Sequence, residues 1–172
     1  MGCDMAARLI VTETRYSLLR QQEGVWLSLA TLNGGFAALI PNPAVVTEAA
    51  LERAIDVAEE WIMPYAKALR GDTLYVQDST GRLTTGLLNV LSTGNRPLSV
   101  ADVENCFLYA AEQVTKGFKA PVLQYGHGFL ADLILLRELA HHGALASMRL
   151  CQSAEPWRPR GAEHCERLKE GP

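Results

Sequence analysis

The spacing of apolar and polar residues changes several times along the chain, and each change marks a predicted element. Residues 8–19 are rich in β-branched side chains, and a polar turn follows. In the next segment Val25, Leu27 and Leu29 recur at every second position, so they lie on one side of a strand. β-branched residues and a two-residue period are typical of strands. We therefore predict a β-hairpin with one buried face at the start of the chain.

The following segment has the period of an amphipathic helix, because apolar residues recur at helical spacing between residues 51 and 62. Thr47 stands where an N-cap residue is expected, since its hydroxyl can accept a hydrogen bond from the first turn. Pro64 lies inside the pattern and lacks a backbone N–H. We predict that this helix kinks near Glu60 or stops shortly before the proline.

The middle of the chain admits two interpretations. Residues 70–97 read as a strand, a turn at 78–81 and a second strand, although residues 82–92 could instead form a short helix. Helical spacing then returns, and Ser99 with Asp102 has the pattern of a capping box. We favour the hairpin followed by a second long helix.

Two hairpin and helix units in succession raise the question of an internal duplication. Aligning Thr47 with Ser99 places Leu51 on Val103 and continues in register along both helices. Two unrelated amphipathic helices rich in Ala and Glu would match equally well, so both explanations stay open. A duplication would give two ββα units on one antiparallel sheet.

The third helix, predicted from Phe129 to His142, contains an unusual carboxylate. Leu133 and Leu136 lie on one side of the helix and Glu138 on the other, but Asp132 falls in the middle of the apolar side. A buried carboxylate needs a partner. The first turn of the helix supplies one explanation, because exposed amides and the helix dipole stabilise a negative charge there. A short apolar strand is predicted before this helix and an edge strand after it.

These elements predict an α+β fold. We expect a single domain over residues 7–150, with an antiparallel or mixed sheet and about three helices. Residues 151–172 are interrupted by prolines and almost free of aliphatic side chains, which is typical of a flexible tail.

The glycine-flanked histidine before the third helix is the strongest candidate for chemistry. On the structural interpretation it only begins a buried helix, and we favour that interpretation. On the functional one, His127 is a general base and Asp132 its orienting acid, or the amino terminus of the helix holds an anion. The loop lacks the spacing of a phosphate-binding motif. The ligand-binding residues of such a site would be Tyr125, Gly126, Gly128, Asn33, Gly34 and Gly35.

A metal site is a weaker candidate. Glu138, His141 and His142 are spaced so that their side chains could converge from one helix face. Cys151, or His164 with Cys165, could add ligands, but the spacing fits no standard zinc pattern. We therefore expect no metal and no cofactor. The four cysteines form no CxxC pair, which favours free thiols.

The charge of the chain bears on its partners. A formal net charge of −3 does not provide the positive field that nucleic acid requires, so nucleic acid is disfavoured. The amino-terminal residues lack the pattern of a secretory signal, and no apolar run is long enough to span a bilayer. We expect a cytoplasmic protein that does not bind membranes.

Two classes of function fit these observations. We favour a non-enzymatic binding or accessory module with a protein partner, because no motif for a strong nucleophile is present. The alternative is a small hydrolase or transferase with its site at Gly126-His127-Gly128 and Asp132. We also expect a homodimer, formed through an edge strand or through the apolar third helix.

Overall fold

The computed structural model describes residues 6–41, 46–92, 94, 96–115 and 126–151. It confirms the α+β prediction, because a single domain contains one mixed five-stranded sheet with helices packed against it. The strands are β1 (Ala6–Val11), β2 (Arg15–Gln22), β3 (Val25–Asn33), β4 (Thr73–Asp78) and β5 (Ser147–Cys151). The helices are α1 (Phe36–Leu39), α2 (Glu48–Leu69), α3 (Arg82–Leu91), α4 (Val100–Thr115) and α5 (Gly126–His142).

The order of the strands creates an edge at which several strand ends meet. The sheet runs β3-β2-β1-β4-β5, with β1 antiparallel to β2 and parallel to β4, which is itself parallel to β5. Val11 at the end of β1 is therefore level with Asp78 at the end of β4. We call this side of the sheet the carboxyl edge. In open α/β sheets, ligands bind outside the carboxyl ends of parallel strands.

The single strand predicted over residues 8–19 is wrong, because the chain turns back after Val11. The Thr12 hydroxyl donates a hydrogen bond to the Arg15 carbonyl at 2.9 Å, and the Thr12 amide donates to the same oxygen at 3.1 Å. This turn contains no glycine, proline or asparagine. The residues that usually identify a turn are therefore missing from the sequence.

The predicted buried face of β3 is also wrong. Val25 and Leu27 are 60% and 46% exposed, whereas Ala30 is buried. The pairing of β2 with β3 shifts register between Leu18 and Leu19. A bulge changes which face the following side chains occupy, so alternation in the sequence does not identify the buried set.

Helix α2 confirms its predicted start but not its predicted end. The Thr47 side chain accepts a hydrogen bond from the Ala50 amide at 3.2 Å, as expected of an N-cap. The helix does not stop before Pro64 but continues to Leu69. Ile62 and Leu69, on either side of the proline, are fully buried. We attribute the continuation to this burial, which offsets the lost hydrogen bond.

The predicted hairpin over residues 70–97 is wrong, and the alternative helix is correct. A strand, β4, is followed directly by helix α3. The carboxylate of Asp78 accepts hydrogen bonds from the amides of Thr80, Gly81 and Thr84 at 2.9–3.0 Å. The carboxylate thus accepts hydrogen bonds from amides that have no acceptor within the first turn of α3. The second proposed ββα unit has only one strand, so a duplication is not confirmed.

The second long helix begins as predicted. Ser99 accepts a hydrogen bond from the Asp102 amide at 3.1 Å, and the Asp102 carboxylate accepts one from the Ser99 amide at 2.8 Å. This is the reciprocal arrangement of a capping box. Strand β5 forms at the edge of the sheet, also as predicted.

Helix α5 lies at the centre of the helical layer and contacts α1, α2, α3 and α4. Almost every residue from Phe129 to Ala140 is buried, including Glu138, which the helical pattern had placed on the polar side. The apolar side of α5 is covered by its own chain, and the homodimer stays a prediction. The described residues form five helices, where the sequence suggested about three.

Some predictions fall outside the described residues. These are the short strand before α5, which includes Tyr125, and the flexible tail from Gln152 onward. Within the described ranges, no helix is both long and apolar enough to cross a bilayer.

Candidate functional site

A buried carboxylate at the carboxyl edge organises the candidate site. Asp132 on α5 is fully buried, and its oxygens bind two side chains from other elements. Arg82 at the start of α3 donates through Nε at 2.7 Å and through Nη2 at 3.2 Å, and the Tyr16 hydroxyl on β2 donates at 2.5 Å. Asp132 therefore has the partner that a buried carboxylate requires, because the guanidinium of Arg82 binds it through two hydrogen bonds.

Arg82 lies between the interior and the surface. Its side chain is 14% exposed, and its remaining amine, Nη1, donates to Glu13 at 2.8 Å. The side chain of Glu13 is 66% exposed. The guanidinium carbon lies 5.1 Å from the centre of the Phe36 ring. One end of the guanidinium is thus fixed inside the protein while Nη1 faces the surface.

Gly128 leaves room for the Arg82 side chain to lie against the first turn of α5. A Cβ atom at this position would lie 2.8 Å from Arg82 Nε and 3.0 Å from its Cδ. Any larger residue would therefore displace the arginine. The glycine brings the backbone of α5 close to a cation.

Burial and hydrogen bonding oppose each other at Asp132. Burial raises the pKa of Asp132 to about 6, although the bonds from Arg82 and Tyr16 lower it. Burial also raises the pKa of Tyr16 far above its usual range, and Asp132 adds to that effect. Burial lowers the pKa of Arg82, but its hydrogen bonds to Asp132 and Glu13 raise the pKa by more, so the net shift is upward. Arg82 therefore stays charged and Tyr16 neutral, and Asp132 binds its proton more tightly than an exposed aspartate does.

The raised pKa of Asp132 predicts a specific dependence of stability on pH. The folded-state pKa of about 6 lies above the ordinary value of 3.8, so the folded protein binds this proton more tightly than the unfolded chain. The part of the stability that comes from protonation of Asp132 is therefore complete below about pH 4 and is lost as the pH rises through 6, while the contacts of Asp132 with Arg82 and Tyr16 still contribute. We expect the stability of the wild type relative to Asp132→Asn to fall by roughly 2–3 kcal/mol over that window. Urea unfolding of both proteins from pH 4 to pH 7 measures it, and a constant difference would contradict it.

His127 and Asp132 both lie in the amino-terminal part of α5, but the oxygens of Asp132 bind Arg82 and Tyr16. His127 is half-buried, and among the described residues its Nδ1 has no hydrogen-bond partner. The structure thus gives Asp132 an orienting contact with Arg82, and none with His127.

The predicted glycine turn lies at the same edge. The Gly34 amide donates to the Thr14 carbonyl at 2.8 Å, and a Cβ atom on Gly35 would lie 2.2 Å from the Glu13 carbonyl oxygen. These glycines hold the turn that carries Glu13, while Asn33 is exposed. Gly128 therefore lies against Arg82, Gly34 and Gly35 hold the turn that carries its partner Glu13, and Gly126 begins the helix that contributes Asp132.

The residues suggested for a metal site bind protein groups instead. His141 Nε2 lies 2.7 Å from Glu104, and His142 Nε2 lies 3.3 Å from Glu138. Arg137 bridges Glu104 and Glu138 at 2.8 and 2.5 Å. In the part of the chain that the structure describes, no group of three or more His, Cys, Asp or Glu side chains could hold a metal ion.

No protein-family model and no curated protein sequence matches the chain. Solved structures do match. A Ppx/GppA phosphatase from Aquifex aeolicus superposes with a TM-score of 0.63 at 12% identity, covering 87% of this chain and 53% of its own. A PPX-GPPA enzyme from the same organism gives 0.63 at 14% identity, over 86% and 53%. An exopolyphosphatase-like protein gives 0.59 at 11% identity, over 86% and 54%.

The chain shares the fold of the Ppx/GppA proteins. It spans about half the length of the structures it matches. The prediction of a non-enzymatic accessory module is wrong, because the proteins with this fold are described as a phosphatase, an enzyme and an exopolyphosphatase-like protein. The sequence suggested the module because no familiar catalytic motif is present, and the absence of a motif does not identify a class of function.

Sequence reasoning missed Arg82, Tyr16 and Glu13. The position of Asp132 on an apolar face did indicate that a partner must exist. Nothing in the sequence selects Arg82 from twelve arginines, because the contact joins residues 50 positions apart. Identifying it requires knowing that β4 lies beside β1.

Proposed function

We propose that this chain carries a hydrolase site for phosphate esters or phosphoanhydrides at the carboxyl edge, around Arg82. The observation that supports it most directly is the position of this arginine. Nε and Nη2 are held by the buried Asp132, whereas Nη1 faces the surface beside the exposed Glu13. A guanidinium that is already fixed in place binds a phosphate oxygen with little loss of conformational freedom.

The first turn of α5 supplies further groups for an anion. The first amides of any helix have no partner within it, and the helix dipole favours a negative charge there. At Gly128 this turn lies against Arg82. The amides at the start of α3, in contrast, are already bound by Asp78. A phosphate group would therefore bind between Arg82 and the amino terminus of α5.

His127 on this turn is the candidate base. In hydrolysis a water oxygen attacks phosphorus, the bond from phosphorus to the leaving oxygen breaks, and the base takes a proton from the water. Asp132 positions Arg82 and does not contact the substrate. The names of the Ppx/GppA structures support a reaction of this kind. A cytoplasmic location and a homodimer formed through an edge strand or through the third predicted helix stay predictions.

Release of inorganic phosphate tests this proposal. Purified protein is assayed with p-nitrophenyl phosphate, pyrophosphate, tripolyphosphate and ATP. We expect Arg82→Lys and His127→Gln each to lower kcat/KM at least about tenfold, since each removes a group that acts on the reacting phosphate. Arg53→Lys, on the exposed face of α2, is the matched control and should leave the rate unchanged.

Melting temperatures separate loss of chemistry from loss of folding. If Arg82→Lys and His127→Gln were folded and hydrolysed every substrate as fast as the wild type, the site would lie elsewhere. If the wild type released no phosphate from any of them, the hydrolase proposal itself would be refuted.

A further inference from the structure

Glu13 occupies the one amine of Arg82 that faces the surface. Its carboxylate accepts from Nη1 at 2.8 Å, on the side of the guanidinium opposite Asp132. The two carboxylates differ in their surroundings, because the side chain of Asp132 is fully buried and that of Glu13 is 66% exposed. The ion pair between Arg82 and Asp132 is therefore part of the interior, and the ion pair between Arg82 and Glu13 is in contact with water.

The backbone around Glu13 is held in place, whereas its side chain is largely exposed. Gly35 approaches the Glu13 carbonyl so closely that a Cβ atom would lie 2.2 Å from it, and the Gly34 amide binds the Thr14 carbonyl at 2.8 Å. Rotation of the Glu13 side chain alone would release Nη1. No movement of the sheet or of α5 is needed.

We infer that Glu13 is a resident anion that competes with the phosphate group of the substrate for Arg82 and so sets the charge preference of the site. This inference rests on the proposed function, which supplies the phosphate. An exposed ion pair is weak, and a phosphate group carries more negative charge than a carboxylate, so it competes effectively for Nη1. The ligand therefore displaces the carboxylate and takes its place on Nη1.

The displaced carboxylate stays tethered beside the bound ligand. It repels a neighbouring anion, and the repulsion grows with the charge of that anion. Glu13 therefore disfavours ligands with several negative charges more than it disfavours orthophosphate. The site would select substrates with a single phosphate group over polyphosphate chains.

Calorimetric titration at low ionic strength tests the competition directly. Orthophosphate and tripolyphosphate, each without added metal, are titrated into the wild type, Glu13→Gln and Glu23→Gln. Glu23 is exposed and lies in the turn at the opposite end of β2, so it is a control of the same chemistry. We expect Glu13→Gln to bind orthophosphate roughly three- to tenfold more tightly and tripolyphosphate with a larger gain. Glu23→Gln should bind both as the wild type does.

Two further variants make the outcome decisive. Glu13→Asp keeps the charge but shortens the side chain, so it should also weaken the contact and tighten orthophosphate binding. In the Arg82→Lys protein, adding Glu13→Gln should raise the affinity for orthophosphate much less than it does in the wild type. The guanidinium for which Glu13 and phosphate compete has been removed there.

The two proposals fail in different ways. If the wild type binds phosphate through Arg82 and Glu13→Gln changes neither affinity, the competition is refuted and the hydrolase proposal stands. If the gain is equal for both ligands, the charge preference is refuted. If neither the wild type nor Glu13→Gln binds either ligand, both proposals are refuted.

Discussion

Replacing Asp132 with alanine should lower the free energy of unfolding by about 3–5 kcal/mol. The substitution leaves the guanidinium of Arg82 and the hydroxyl of Tyr16 without their acceptor in a region where Asp132 itself is completely buried. Arg82 keeps only the exposed Glu13 as an acidic partner, and an ion pair that loses its buried member is much more costly than the intact pair. Chemical unfolding at pH 7 measures the loss.

Glu13→Ala is the matched control, because it removes the other carboxylate from the same guanidinium. An exposed ion pair contributes little, so we expect a change below about 1 kcal/mol. Equal losses in the two variants would show that burial does not distinguish the two contacts. A small loss in both would mean that Arg82 finds another acceptor.

Replacing Gly35 with alanine should also be strongly destabilising, by about 3 kcal/mol. Gly35 has a φ of 55° and a ψ of −138°, which side chains with a Cβ atom rarely adopt, and the new Cβ would lie 2.2 Å from the Glu13 carbonyl oxygen. The neighbouring atom belongs to the backbone, so the turn between β1 and β2 must shift. Thermal and urea unfolding report the loss.

Gly24→Ala separates the two causes. Gly24 also has a positive φ, 82°, but nothing lies within 4 Å of a Cβ atom there. Its replacement therefore introduces conformational strain alone, of about 1 kcal/mol. A similar loss at both glycines would attribute the effect at Gly35 to strain and not to the contact with the turn.

Local patterns predicted what depends on neighbouring residues. The N-cap at Thr47 and the capping box of Ser99 with Asp102 each join residues three positions apart, and both are confirmed. The segment 82–92 was ambiguous because its apolar residues suit either a strand or a helix. Asp78, four residues before α3, decides it by binding the amides at the helix start.

The candidate site could be predicted only in part, because it is assembled from four separate elements. The burial of Asp132 could be predicted from its position on the apolar side of α5. The glycines at 34, 35 and 128 were predicted to bind a ligand, and that role stays a prediction. The identity of the partners of Asp132 could not be predicted, since Tyr16 comes from β2 and Arg82 from α3. The exposure of Val25 accompanies the register shift between β2 and β3, which periodicity alone cannot reveal.

The position of β1 at the centre of the sheet has a consequence for how the chain folds. β1, β2 and β3 are consecutive and antiparallel, so they can associate as soon as they are synthesised. The other edge of β1 must wait for β4, because Ala6 pairs with Thr73. Closing that long loop is slow compared with forming a hairpin. Until α2 and β4 have been synthesised, one edge of β1, which carries Leu9 and Val11, has no partner strand. That edge can pair with another chain, so aggregation during synthesis competes with the pairing of β1 and β4.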